Sequence, residues 1–137
     1  MITSINEYKS HLNENLEIDK LLNFELDNVK ISLNGSHAIL SVEQLKDGEP
    51  SIYISEIWSD IKGKGNATKL LNKLKDYSDK TSVPLSLRAS IQNNINSEPG
   101  LSQSELIDWY IKNGFEISED NNNFPTDKSA PFMLYNY

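Results

Sequence analysis

Lys62-Gly63-Lys64-Gly65-Asn66-Ala67, followed at once by Thr68-Lys69-Leu70-Leu71, constrains this chain more than any other stretch. Gly63, Gly65 and Ala67 allow a tight turn and a close approach of backbone to a ligand. Ala67, Leu70, Leu71, Leu74 and Tyr77 recur at spacings of three and four, which predicts one apolar helix face. In front lies Ser51-Ile52-Tyr53-Ile54-Ser55-Glu56-Ile57-Trp58, which reads as a strand. A strand, a short glycine loop and a helix start bring free N–H groups and the positive end of a helix dipole together, a setting suited to phosphate.

Charge agrees with that reading. The formal net charge is −7, yet residues 61–80 hold six lysines against Asp76 and Asp79, leaving −11 elsewhere. One basic stretch on an acidic chain points to a local anionic ligand. A nucleic-acid footprint is broader and the protein more basic, so no nucleic-acid partner is expected. The alternative is a solvated lysine face on a helix. At 137 residues the chain is expected to form a single domain over 1–137. It has no cysteines, which excludes disulfides, thiolate metal sites and a cysteine nucleophile. His11 and His37 are too few for a metal site and receive no role. No segment is apolar enough for a membrane span and no signal-peptide pattern is seen, so a cytoplasmic location is expected.

Turn and cap signals order the rest. Ser4-Ile5-Asn6-Glu7 has the form of a capping box, with Tyr8 and Leu12 sharing a face behind it, and Ile18, Leu21 and Leu22 suggest a second short helix. Val29 to Leu33 alternates as a strand, Asn34-Gly35 is a hairpin turn, and Ala38 to Leu45 returns. Lys46 to Pro50 turns again into the strand before the loop. That strand is predicted to place Ile54, Glu56 and Trp58 on one face. Pro84 introduces a strand from Leu85 to Ala89. It follows a crossover helix and should run parallel to the strand before the loop. Residues 91–101 read as a loop. Ser102-Gln103-Ser104-Glu105 is a second capping box, opening a helix whose buried face is Leu106, Ile107, Tyr110 and Ile111 and whose stop is Asn113-Gly114. Phe115 to Ser118 and Phe132 to Tyr135 read as strands, with a turn or loop at Asn121-Asn122-Asn123.

Two separated pieces resemble one family. Lys62 to Ala67 resembles the acetyl-CoA signature of GNAT acetyltransferases, with lysine in the slot usually held by arginine or glutamine. Trp109-Tyr110-Ile111-Lys112-Asn113-Gly114-Phe115 resembles that family's later helix-to-strand signature. The resemblance covers about residues 29–137. It implies an α+β fold, a mixed, mostly antiparallel sheet with helices on both faces, and transfer of an acetyl group from acetyl-CoA to an amine. It also implies that the pyrophosphate rests on Gly63, Lys64, Gly65, Asn66 and Ala67, aided by Thr68 and Lys62. The pantetheine arm would lie along Ile57, Trp58 and Ser59, where the strand splays from its parallel neighbour. Gln103 stands where the family often has an asparagine that holds the arm. Tyr110 would protonate the departing thiolate and Glu56 would be the base. The acceptor would be the amine of a small molecule or a protein, with a homodimer possible. Lys62, Gln103 and the five residues between Glu56 and Lys62 depart from the family pattern. They leave open a second reading, a GNAT-fold module that binds CoA or a partner without catalysis.

Overall fold

The computed structural model describes residues 18–23, 25–60, 66–90, 102–118 and 130–136. The capping box at Ser4, the pair Tyr8 and Leu12, the loop residues Lys62 to Gly65, the segment 91–101 and the asparagine run at Asn121 lie outside these. Six strands form one sheet in the order β1-β2-β3-β4-β6-β5. They are β1 (Val29–Leu33), β2 (Ser36–Gln44), β3 (Pro50–Ser59), β4 (Leu85–Arg88), β5 (Glu116–Ile117) and β6 (Phe132–Tyr135). Two helices are α1 (Asn66–Thr81) and α2 (Gln103–Lys112). Residues 18–22 make a further short helical stretch that buries Ile18 and Leu21. None of the described helices is long and apolar enough to cross a membrane.

The meander forms as its turns dictate. Asn34 and Gly35 both take positive φ, 50° and 82°, the backbone of a turn whose twist matches its flanking strands. β1, β2 and β3 then pair antiparallel, and β3 pairs parallel with β4 across the α1 crossover. β6 inserts antiparallel between β4 and β5, so only the β3–β4 contact is parallel among the described strands. Strand ends shift by a residue or two from the expected ones. The expected strand over 115–118 shortens to Glu116–Ile117 because Phe115 turns inward and is 1% exposed.

One large apolar cluster joins alternate strand residues to the helices. Ala67, Leu70, Leu71 and Leu74 of α1 and Leu106 and Tyr110 of α2 meet Leu40, Ile52, Ile54, Ile57, Leu85, Leu87 and Met133. At roughly 1.5–3 kcal/mol per fully buried aliphatic side chain, this cluster is the main source of stability. Tyr77, expected on the same face, packs against it while its hydroxyl donates to Asp19 at 2.7 Å. Leu45, Phe132 and Leu134 form a second cluster on the opposite sheet face, with Tyr53 against it. The buried face expected for α2 is corrected at one position: Ile111 is 48% exposed, because the helix buries only a narrow stripe through Leu106 and Tyr110.

Helix ends follow their caps. Ser102 accepts from the Glu105 N–H, and the Glu105 side chain accepts from the Ser102 N–H, completing the capping box. These bonds hold the Glu105 carboxyl below its ordinary pKa. Gly114, at φ 93°, ends α2 as expected.

Candidate active site

The site is built by a defect in β3. Ile39 faces Glu56 and Leu40 faces Ile54, so Ser55 has no partner on β2. This is a β-bulge, one extra residue that kinks its strand and shifts the alternation. The Ser55 hydroxyl donates to the Ile39 carbonyl at 3.0 Å and steadies the irregularity. Before the bulge Ile52 and Ile54 enter the large cluster; after it Ile57 does so. Glu56 therefore lies on the face of Trp58 and Tyr53 and not, as expected from plain alternation, on the face of Ile54. The correction has a simple cause: the bulge inverts which residues point inward.

The bulge also marks where the sheet opens. The parallel β3–β4 ladder holds Ile52 with Leu85, Tyr53 with Ser86 and Ile54 with Leu87, and ends there. β3 continues for five residues to Ser59, while β4 stops at Arg88 and the Ala89 N–H turns to the Pro131 carbonyl. The edge of β3 from Ser55 onward is thus not paired with β4. Among the described strands none pairs with that edge on the β4 side, and such backbone groups suit an extended, amide-bearing ligand.

Several expected residues surround this opening. Ile57 is fully buried and Trp58 half-buried. Ser59 is 5% exposed, and its hydroxyl has no hydrogen-bond partner among the described residues. A buried polar atom without a partner costs about 1–3 kcal/mol, which suits a position completed by a bound group. Gln103 begins α2, and its amide donates to the Ala89 carbonyl at 2.7 Å, tying that helix to the end of β4. Glu56 is half-buried on the second face.

Tyr110 is fully buried, with ring centroids 5.0 Å from Trp109 and 5.6 Å from Phe115. Burial, and then the nearby Tyr53 phenol, hold its pKa far above that of an ordinary tyrosine. Burial raises Tyr53 as well, partly opposed by Arg88, whose Nη1 donates to the Ala130 carbonyl at 2.9 Å. Both phenols therefore stay protonated at neutral pH and can act as proton donors.

The next element after β3 in the chain is α1. Its first turn carries no acidic residue, so no carboxylate offsets the positive end of the dipole. Ala67 is buried and Thr68 half-buried. Lys62, Gly63, Lys64 and Gly65, expected to cradle the phosphates, lie outside the described residues, as does the side chain of Asn66.

One set of residues was missed. His37, given no role from the sequence, bridges Ser32 and Asp60 on the β1–β2–β3 end of the sheet. Twenty-three positions separate His37 from Asp60, and only the His37–Trp58 register of β2 with β3 brings them together.

Meander, bulge, open parallel pair and following helix make up a GNAT-like fold. Among solved structures, the anti-CRISPR protein AcrVA5 superposes with a TM-score of 0.59 at 24% identity, over 80% of this chain and 99% of its own. Naa50 from Arabidopsis thaliana, in complex with the bisubstrate analogue CoA-Ac-MVNAL, gives a TM-score of 0.47 at 18% identity, over 90% of this chain and 93% of its own. No protein-family model and no curated protein matches the sequence.

Proposed function

We propose that this protein transfers an acetyl group from acetyl-CoA to a primary amine. The observation that carries the reading is the opening of β3 from β4 after Ile54 and Leu87, with α1 the next element in the chain. Acetyl-CoA supplies the acyl group as a thioester whose leaving group is a thiolate. The unpaired edge of β3 over Ile57, Trp58 and Ser59 binds the amides of the arm, and the Ser59 hydroxyl gains the partner it lacks within the described chain. The N-terminus of α1, with Thr68 and the preceding Lys62 to Gly65, holds the diphosphate charge.

Acyl transfer needs a neutral amine, a stabilised oxyanion and a proton for the leaving sulfur. Glu56, or a water held by it, accepts the proton of the amine. Its place on the Trp58 face separates the acceptor side of the sheet from the side that buries Ile57. A backbone N–H at the bulge serves the oxyanion. Tyr110 donates its hydroxyl proton to the sulfur, a role that requires the phenol to remain neutral until the C–S bond breaks.

The test has two stages. Calorimetric titration with CoA is expected to give saturable binding that weakens with added salt. Thiol release from acetyl-CoA is then followed with a polyamine, an aminoglycoside, a lysine-containing peptide and a free peptide N-terminus. Absence of CoA binding overturns the site. Binding without amine-dependent thiol release for any acceptor overturns the catalytic reading and leaves a CoA-binding module.

A further inference from the structure

Ser32, His37 and Asp60 form a continuous hydrogen-bonded chain. Ser32 Oγ lies 2.7 Å from His37 Nδ1, and His37 Nε2 lies 3.0 Å from each oxygen of the Asp60 carboxylate. An ionised carboxylate only accepts, so Nε2 carries the proton. In the neutral ring Nδ1 is then the acceptor, and the Ser32 hydroxyl donates to it. That proton order is the one an activated serine requires.

The hairpin explains why the three meet. Leu33 and Ser36 close the two-residue turn as a hydrogen-bonded pair, so the next pair, Ser32 with His37, is of the non-hydrogen-bonded kind. Side chains approach most closely there. The backbone groups of that pair point away from each other, and β1 is an edge strand among the described residues. The Ser32 N–H therefore faces outward beside its own hydroxyl, where an oxyanion would form. Lys30 shares that face two residues earlier and brings its ammonium to 5.5 Å from the centre of the Trp58 ring.

Rigidity comes from two further contacts. The Trp58 ring lies 5.2 Å from the His37 ring and fixes the imidazole. The Asp60 N–H donates to the Gly35 carbonyl at 2.8 Å and pins the carboxylate. Ser32 itself is exposed, while the His37 side chain is only 18% exposed. A nucleophile open to solvent and a base held from behind suit attack on a small ligand arriving from outside.

We propose that Ser32 is an acyl-accepting nucleophile for small activated esters and thioesters, with His37 as its base and Asp60 as the positioning residue. Ser32 Oγ attacks the carbonyl carbon while its proton passes to His37 Nδ1. The bond from that carbon to the alcohol or thiol breaks, and the leaving group takes the proton from His37. Water then attacks acyl-Ser32, giving a proton to His37, which returns it to Ser32 Oγ as the acid departs. Ser32, His37 and Asp60 are not among the residues assigned to CoA, and the Trp58 ring packs on His37 through its side chain and not its backbone edge, so the proposal stands or falls apart from amine acetylation.

The full chain is incubated with p-nitrophenyl acetate. Release of p-nitrophenolate is followed, and the acetyl group is located by peptide mass mapping. A burst and a single acetyl group on Ser32 are expected. Ser32→Ala, with melting unchanged because its hydroxyl is exposed, is expected to abolish both. His37→Gln is expected to slow acylation by about 100-fold, within the range for a lost general base. Should that variant not fold, Asp60→Asn serves in its place and is expected to slow acylation at least about tenfold. Acetyl groups found only on lysine amines, or a Ser32 acylation rate unchanged in the variant that folds, would overturn the proposal.

Discussion

Replacing Tyr110 by phenylalanine separates chemistry from packing at the candidate site. The ring is 1% exposed and sits between Trp109 and Phe115 in the large cluster, so truncation to alanine would cost about 3–5 kcal/mol and confound any assay. Phenylalanine keeps the ring and removes one buried oxygen. Loss of a hydroxyl at constant shape changes stability by about 1 kcal/mol or less. The CoA affinity should be nearly unchanged, because the proposed diphosphate and arm sites lie on α1 and β3. The proton donor, by contrast, disappears. General acid catalysis contributes about 10²–10⁴-fold, or about 2.7–5.4 kcal/mol of barrier, so turnover should fall at least about 100-fold. The assay is thiol release at saturating acetyl-CoA and amine, with calorimetric CoA titration and a melting curve on the same sample. An unchanged turnover number alongside unchanged binding would remove Tyr110 from the mechanism. A large loss of CoA affinity would show that the ring shapes the pocket and would refute the division of labour argued above.

Three further outcomes follow from the described contacts. Ser102→Ala removes the α2 capping box and should lower stability by about 1 kcal/mol in urea unfolding. Gly114→Ala places a side chain at φ 93° with its Cβ 3.3 Å from the Tyr135 ring; the left-handed backbone alone costs about 1–2 kcal/mol, and a lower melting temperature should record it. The third concerns alkaline pH. The Tyr110 pKa is raised in the folded state, so above about pH 10 the unfolded chain loses that proton while the folded chain keeps it. Stability is then full below pH 10 and falls above it, at up to about 1.4 kcal/mol per pH unit for this one group. Tyr110→Phe should show a shallower decline between pH 10 and 11 in denaturant titrations, and identical slopes would contradict the burial argument.

The meander, both helices and the parallel strand were legible because each carries a local signal. Asn34-Gly35 specifies its turn, Ser102 and Glu105 specify a cap, and α1 shows one apolar face from Ala67 to Leu74. The bulge was not legible as such. A single inserted residue leaves composition unchanged, and Ile52-Tyr53-Ile54-Ser55-Glu56-Ile57-Trp58 reads as one alternating run. The odd spacing from Ile54 to Ile57 is the trace it leaves, since strict alternation cannot bury both on one face. The chain from Ser32 through His37 to Asp60 has no local signature at all, because it depends on cross-strand register. Ile111 was assigned inward by periodicity alone, which gives the direction of a helix face but not its width.

The bulge couples three properties that a regular strand could not combine. Alternation along β3 must bury Ile52 and Ile54 in the large cluster and still bury Ile57 in it. Without the extra residue, Ile57 would face the side of Tyr53, and Glu56 would point into an apolar cluster with no described partner for its charge. Burying such a carboxylate is far costlier than the loss of one ladder residue, so the irregular strand is the more stable arrangement. The parallel ladder with β4 also ends at Ile54, the residue before the bulge, which leaves the β3 edge proposed to bind an extended arm. Core packing and the outward placement of a carboxylate thus share one cause at Ser55, at the point where the ladder with β4 ends. A proposed site in which carboxylate and core are set by one residue is held rigidly, and rigid positioning is what the proposed acyl transfer between two bound groups requires.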